Sequence, residues 1–197
     1  MPRIVDHEQR RAELAKAARA IVASEGIEAL TIARVATATG YSSGVVNHYF
    51  ANKRQMLLYT YTSTVEQLQS RLKAQLARSP RNLDACLKAF LPMNEEQQHE
   101  WLLWFAFWGM AITDQDLAMA QRQALRGAQD LLLGIFQEMA RHGLLPAGAD
   151  CDFLAHHCIA LINGIAVQAV FDLQAWPPRR QLSFVKQALG LTEGTKI

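Results

Sequence analysis

Twenty-four residues, Leu30 to Lys53, constrain the fold more than any other part of this 197-residue chain. They read as two short helices joined by a tight turn, followed by the capped start of a third. Thr31 is placed to cap the first helix, because its hydroxyl can accept from the free N–H groups of the opening turn. Ile32, Val35 and Ala36 then share one face. Gly40 ends that helix, since glycine takes a left-handed backbone at little steric cost. Ser42 caps the second helix. Val46 and Phe50, four apart, point to a core. Gly44, Asn47 and His48 point the other way, flanked by Ser43 and Val45. A short helix with an apolar inner face and a small, polar outer face suits a DNA major groove.

Helical periodicity runs through the remaining sequence, and no stretch alternates strictly enough for a strand. Asp6 and Gln9 have capping-box spacing, ahead of a helix with Leu14, Ala17, Ala18, Ile21 and Val22 on one face and Gly26 as its stop. Asn52 is placed to cap a long helix from Lys53 to about Arg78, with Leu57, Tyr61, Leu68, Leu72 and Leu76 at helical spacing. Further helices are expected at about 82–91, 94–112, 114–141, 150–172 and 179–189, with Asp114 and Asp150 as caps and Pro177-Pro178 opening the last. The expectation is an all-α chain of about nine helices. Three make a small head over residues 1–54, and the others make a larger bundle over 55–197.

Charge is spread unevenly. Residues 1–54 hold eight Lys/Arg against five Asp/Glu, and the rest hold twelve against thirteen. The small basic excess therefore lies with the two-helix motif, where phosphate binding needs it. Cys86, Cys151 and Cys158 are odd in number and offer no close pair, which argues for a reducing compartment. Cys151, Asp152, His156, His157 and Cys158 include a four-residue spacing that could share a metal. With no second ligand pair, no metal site is expected. Nor is there a phosphate-cradling glycine loop, a nucleophile elbow or a paired Glu-x-x-His, so neither a catalytic group nor a cofactor is expected. The N-terminus has no charged-then-apolar leader. The apolar runs Trp101–Ile112 and Cys158–Phe171 fall short of the ~18–20 residues that span a bilayer. A cytoplasmic protein without a membrane partner is the expectation.

The stretch Thr31, Ile32-Ala33, Val35-Ala36, Thr39-Gly40-Tyr41-Ser42-Ser43-Gly44, His48-Tyr49-Phe50 and Lys53 resembles the helix-turn-helix of the tetracycline-repressor (TetR) family. Its His48-Tyr49-Phe50 ending is similar to the choline-responsive BetI subgroup. Tyr41 stands where the pattern has a small aliphatic residue, and Asn47 where it often has tyrosine. Both departures bear on base preference rather than on fold. The resemblance implies a transcription regulator that binds a palindromic double-stranded operator, most often as a repressor, and is not an enzyme. Ser43, Gly44, Val45, Asn47 and His48 would then lie at or beside base edges. Thr31, Ser42, Tyr49 and Lys53 match positions that hold phosphates.

A lone head reads one half-site, so such a protein needs a dimer surface. The last two helices are the candidates. Ile159, Leu161, Ile162, Ile165, Ala166, Val167, Ala169 and Val170 wrap nearly all the way round theirs, while Phe184, Val185 and Leu189 stripe the final one. The resemblance likewise implies a homodimer formed through these two helices. Trp101, Trp104, Phe105 and Trp108 form one stripe at i, i+3, i+4 and i+7. The stripe fits core packing, and it also fits a cavity for a small-molecule effector of the quaternary ammonium class, held by cation–π attraction. Glu100, the one adjoining carboxylate, is expected to face water; Tyr61, Asn163 and Gln168 could add polar contacts. Two other readings remain open: a helical interaction adaptor that does not bind an operator, and a metal-binding bundle.

Overall fold

The computed structural model describes residues 7–191, with Gln75 by its backbone alone. Among the described residues there are nine α-helices, one 3-10 turn and no strand. The helices are α1 (His7–Glu25), α2 (Ile32–Thr39), α3 (Ser43–Tyr49), α4 (Lys53–Arg78), α5 (Leu83–Phe90), α6 (Glu95–Ala111), α7 (Gln115–Arg141), α8 (Cys151–Phe171) and α9 (Pro178–Ala188).

Side-chain caps set most of the starts. Thr31 Oγ1 accepts from the Arg34 N–H at 3.1 Å, and Ser42 Oγ from that of Val45 at 3.3 Å. Asn52, Asp114 and Asp150 cap α4, α7 and α8 by accepting from Gln55, Leu117 and Phe153 at 2.9, 3.2 and 3.0 Å. Asn82 and Asn94 do the same for α5 and α6. Each cap satisfies one of the orphan donors of an opening turn, typically for about 1 kcal/mol. The Asp6 cap proposed for α1 lies outside the described residues. One element was not expected: Ile27–Ala29 winds into a 3-10 turn after Gly26, whose φ is 84°. Three residues are too few to carry a periodic signal.

The chain divides into two compact units, 1–66 with 102–121 and 67–101 with 122–197. In the first, α1 packs on α2 and on the 3-10 turn, and α2 packs on α3. Leu14, Ala18, Leu30, Val35, Val46, Phe50, Met56 and Leu57 are fully buried there. Truncating one such large side chain to alanine typically costs about 2–5 kcal/mol. Arg34 forks onto Glu25 at 2.6 and 3.0 Å and ties α2 to the end of α1. That bond lowers the Glu25 carboxyl and raises the Arg34 guanidinium from their ordinary values.

In the second unit α9 packs on α8 and on α5. Lys186 of α9 meets Asp84 of α5 at 2.6 Å. Gln181, wholly buried, donates to the carbonyls of Trp176 and Pro92. Cys86 and Cys158 are buried free thiols; burial pushes Cys86 up to about 12 and raises Cys158 as well. α8 corrects the membrane estimate made from apolar runs. Its 21 residues are long and apolar enough to cross a bilayer by length and composition. The run appeared shorter in the sequence because Asp152, His156 and His157 interrupt it. Core helices of packed bundles pass the same test, and Ala155, Cys158, Ile162, Ile165, Ala166 and Ala169 of α8 are buried against protein.

Candidate nucleic-acid interface and ligand-side residues

The turn between α2 and α3 is built by Gly40. At φ 72° its N–H and that of Tyr41 return to the last carbonyls of α2. α3 then leaves with Val46 and Phe50 completely buried. Its period puts Ser43, Gly44, Asn47 and His48 in solvent, with Val45 and Tyr49 half-buried. Thr31 and Ser42 are also exposed, so their hydroxyls serve as caps on the same open surface. A Cβ built on Gly44 would meet only Ser42 Oγ, at an ordinary 3.7 Å. Nothing inside the chain needs glycine there. Lys53 is half-buried, and its Nζ lies 3.4 Å from Glu28. The nine interface candidates thus all fall on the first unit, in or beside one helix-turn-helix.

Contacts from α1 support that surface, and sequence reasoning missed them. Tyr41 donates its hydroxyl to Glu13 at 2.9 Å, while the Arg10 guanidinium lies 4.3 Å over its ring. The bond to Glu13 holds the Tyr41 phenol above its ordinary value. His7 Nδ1 sits 3.0 Å from the Tyr49 hydroxyl. On α4, Arg54 forks onto Asp114 at 2.5 and 2.8 Å and reaches Asp116 at 2.8 Å. These bonds push Arg54 up and hold the Asp114 carboxyl well below the usual carboxylate range.

The six ligand-side candidates divide between the units. Tyr61, Trp104, Phe105 and Trp108 belong to the first, and Trp101 and Asn163 to the second. Tyr61 stacks on Phe107 with ring centroids 3.7 Å apart and planes 3° from parallel. Its hydroxyl donates to Gln121 Oε1, which also accepts from Trp108 Nε1 at 2.7 Å. Burial pushes the Tyr61 phenol up to about 12, against a smaller opposing effect of the Trp108 N–H. Trp104 is buried; Phe105 and Trp108 are half-buried and meet edge to face at 5.7 Å. Trp101 is buried and donates to the Phe90 carbonyl at 2.8 Å, which makes it a core residue. Asn163 is half-buried on α8, and Gln168 is exposed. Glu100 does not face water: it is 4 % exposed and lies 3.6 Å from Arg71. The first six residues of α6 are all polar and the eleven after them contain no charged or amide side chain, so neither half has a contrasting face from which to orient Glu100. Among the described residues no three His, Cys, Asp or Glu side chains gather where they could hold a metal.

A three-helix head with a small, polar, outward-facing third helix defines the class of helix-turn-helix DNA-binding proteins. A model for bacterial regulatory proteins of the tetR family matches residues 14–60, and one for the C-terminal part of BetI-type transcriptional repressors matches residues 80–192. The chain belongs to the TetR family of transcriptional regulators. It is 29% identical over 175 residues to the HTH-type transcriptional regulator PksA of Bacillus subtilis, covering 87% of this chain and 84% of that protein. It is 26% identical over 179 residues to the HTH-type transcriptional regulator BetI of Vibrio parahaemolyticus, covering 88% and 87%. Among solved structures it is similar to a regulator from Saccharomonospora viridis in complex with choline, with a TM-score of 0.77, 18% identity, and coverage of 93% of this chain and 97% of that one.

Proposed function

We propose that the chain acts as a cytoplasmic homodimeric repressor that holds a palindromic operator and is released from it by a small cation. The observation that carries this reading is the outer face of α3, where Ser43, Gly44, Asn47 and His48 stand exposed over a core anchored by Val46 and Phe50. Asn47 suits an adenine edge, Val45 a thymine methyl, and Gly44 a close backbone approach. Thr31, Ser42, Tyr49 and Lys53 supply hydroxyls and a charge to phosphates. Residues 1–54 serve as the DNA-binding head and 55–197 as the regulatory part.

Dimerisation is assigned to α8 and α9. Val167, Phe171 and Phe184 are 41, 85 and 43 % exposed, an unusual loss of apolar burial for one chain. Gly164 lies among them on α8, and a Cβ there would meet nothing within 4 Å. A mid-helix glycine costs about 1 kcal/mol against alanine, and a second copy packing closely on α8 gives that cost a return. Two heads then engage two half-sites, which multiplies the discrimination of one.

For the effector, Tyr61, Trp104, Phe105 and Trp108 supply aromatic faces that attract a quaternary ammonium group. The choline in the Saccharomonospora viridis neighbour supports the same chemical class. A ligand that binds one conformation better shifts the population toward it by that difference in affinity. α4 carries the signal, because it holds both Lys53 and Tyr61 in one rigid helix. The test is displacement of protein from a DNA duplex that it has itself selected from a random-sequence pool. Choline and tetramethylammonium should release the duplex and quench tryptophan emission. The uncharged isostere 3,3-dimethyl-1-butanol should do neither. Release by the isostere, or by none of the three, would overturn the choice of a cation.

A further inference from the structure

The first residue of α1 reaches the recognition helix. His7 is exposed, and besides its 3.0 Å contact with the Tyr49 hydroxyl its ring lies 5.8 Å from that of Tyr49 and 6.0 Å from that of His48. His48 and Tyr49 themselves meet edge to face at 5.1 Å. Three rings from two helices, 42 residues apart in sequence, therefore form one edge beside the open face of α3.

We propose that His7 belongs to the DNA-contacting edge, where its protonated ring donates to the Tyr49 oxygen and leaves both the Tyr49 O–H and its own second N–H for the phosphate backbone. This rests on the assignment of α3 to DNA. The argument is a count of protons. Neutral imidazole has one N–H and one lone pair. With the proton on Nε2, Nδ1 accepts the Tyr49 O–H, and the hydroxyl turns only lone pairs outward. With the proton on Nδ1, the Tyr49 O–H is released, but Nε2 now presents a lone pair. Either neutral form offers a phosphate one donor and no charge. The imidazolium offers two donors and a positive charge. A phosphate therefore favours the protonated ring, and DNA binding takes up a proton.

Among the described residues, the charges near this edge leave it open to an anion. On α1, Arg10 is held over Tyr41, and Arg11 lies 4.1 Å over the ring of Tyr59 on α4. Glu8 acts electrostatically on that same Tyr59, and Glu13 is engaged by Tyr41 and Arg10. On α3 the neighbouring titratable groups are His48 and Tyr49, and at the start of α4 Lys53 is paired with Glu28.

The experiment measures fluorescence anisotropy of a labelled duplex, selected by the wild-type chain from a random pool at pH 8, as a function of salt at pH 6 and pH 8. Wild type, His7→Gln, His7→Lys and Tyr49→Phe are compared, each checked by thermal unfolding. Lowering the pH should tighten wild-type binding about tenfold per half-site more than it tightens His7→Gln, the worth of one charge-assisted contact in each head. The wild-type salt slope should steepen by about 0.9 per half-site relative to His7→Gln, one added phosphate contact. His48 is present in both proteins, and repeating the comparison in a His48→Gln background separates its share. His7→Lys should keep the steep slope at pH 8, and Tyr49→Phe should lose part of the gain at pH 6. Equal pH and salt profiles in wild type and His7→Gln would overturn the proposal and leave DNA binding by α3 intact. Failure of wild type to select any duplex would overturn both.

Discussion

Lys53 is spoken for before any phosphate arrives, and that makes its role measurable. Its Nζ lies 3.4 Å from Glu28, whose side chain is 93 % exposed. An exposed pair of this kind holds about 0.2–1 kcal/mol. Lys53 must give up that pairing to reach a phosphate, so Glu28→Gln returns the same energy to DNA binding. The expected gain is about 1.4- to 5-fold in affinity per half-site. Thermal stability should move by less than ~1 kcal/mol, because Glu28 packs against nothing that its loss would uncover. The assay is duplex binding by anisotropy at 0.1 M salt, in a double-mutant cycle with Lys53→Ala. In the Lys53→Ala background the same Glu28 change should give a clearly smaller gain, the part due to removing a negative charge near the backbone. Equal gains in both backgrounds, or none in the wild type, would refute the assignment of Lys53 to a phosphate.

Other consequences follow from named side chains. Asn47→Ala should lower discrimination at one adenine position by about 1–3 kcal/mol and leave the salt slope unchanged, read from binding to single-base variants of the selected duplex. A uniform loss across all variants would remove Asn47 from base reading. Gln121→Leu takes the acceptor from the Tyr61 hydroxyl in a partly buried site and should destabilise the chain by about 1–3 kcal/mol in urea unfolding; a change below about 0.5 kcal/mol would show that the hydroxyl finds another partner. Tyr61 binds its proton more tightly folded than unfolded, up to about 12, and Cys86 does likewise. Stability should therefore fall as pH rises from about 9 to 12, and a flat urea midpoint over that range would contradict the burial of both groups. A thiol reagent should label Cys151 in the native protein and reach Cys86 and Cys158 only on unfolding.

The helical frame was legible because its signals are local. Thr31, Gly40, Ser42, Asn52, Asp114 and Asp150 start or stop helices through contacts within a few residues, which spacing alone exposes. The two faces of α3 were legible for the same reason: Val46 and Phe50 fix its inward side, and the helical period then turns Gly44, Asn47 and His48 outward. What stayed hidden depends on tertiary partners. Nothing near His7 announces Tyr49, and nothing near Arg54 announces Asp114, 60 residues on. The Trp101-to-Trp108 run is apolar on all sides, so periodicity could not tell that Trp101 donates inward to Phe90 or that Glu100 is buried against Arg71. Gln181, polar yet wholly enclosed, finds its acceptors at Pro92 and Trp176, one of them 89 residues away.

The most direct measurement is a hydroxyl-radical footprint of the full chain on its selected duplex. The account predicts two protected patches of like size on one face of the DNA, related by two-fold symmetry and centred one helical turn, about 10–10.5 base pairs, or a multiple of it apart. A single patch, or cleavage no different from that of free DNA, would contradict it.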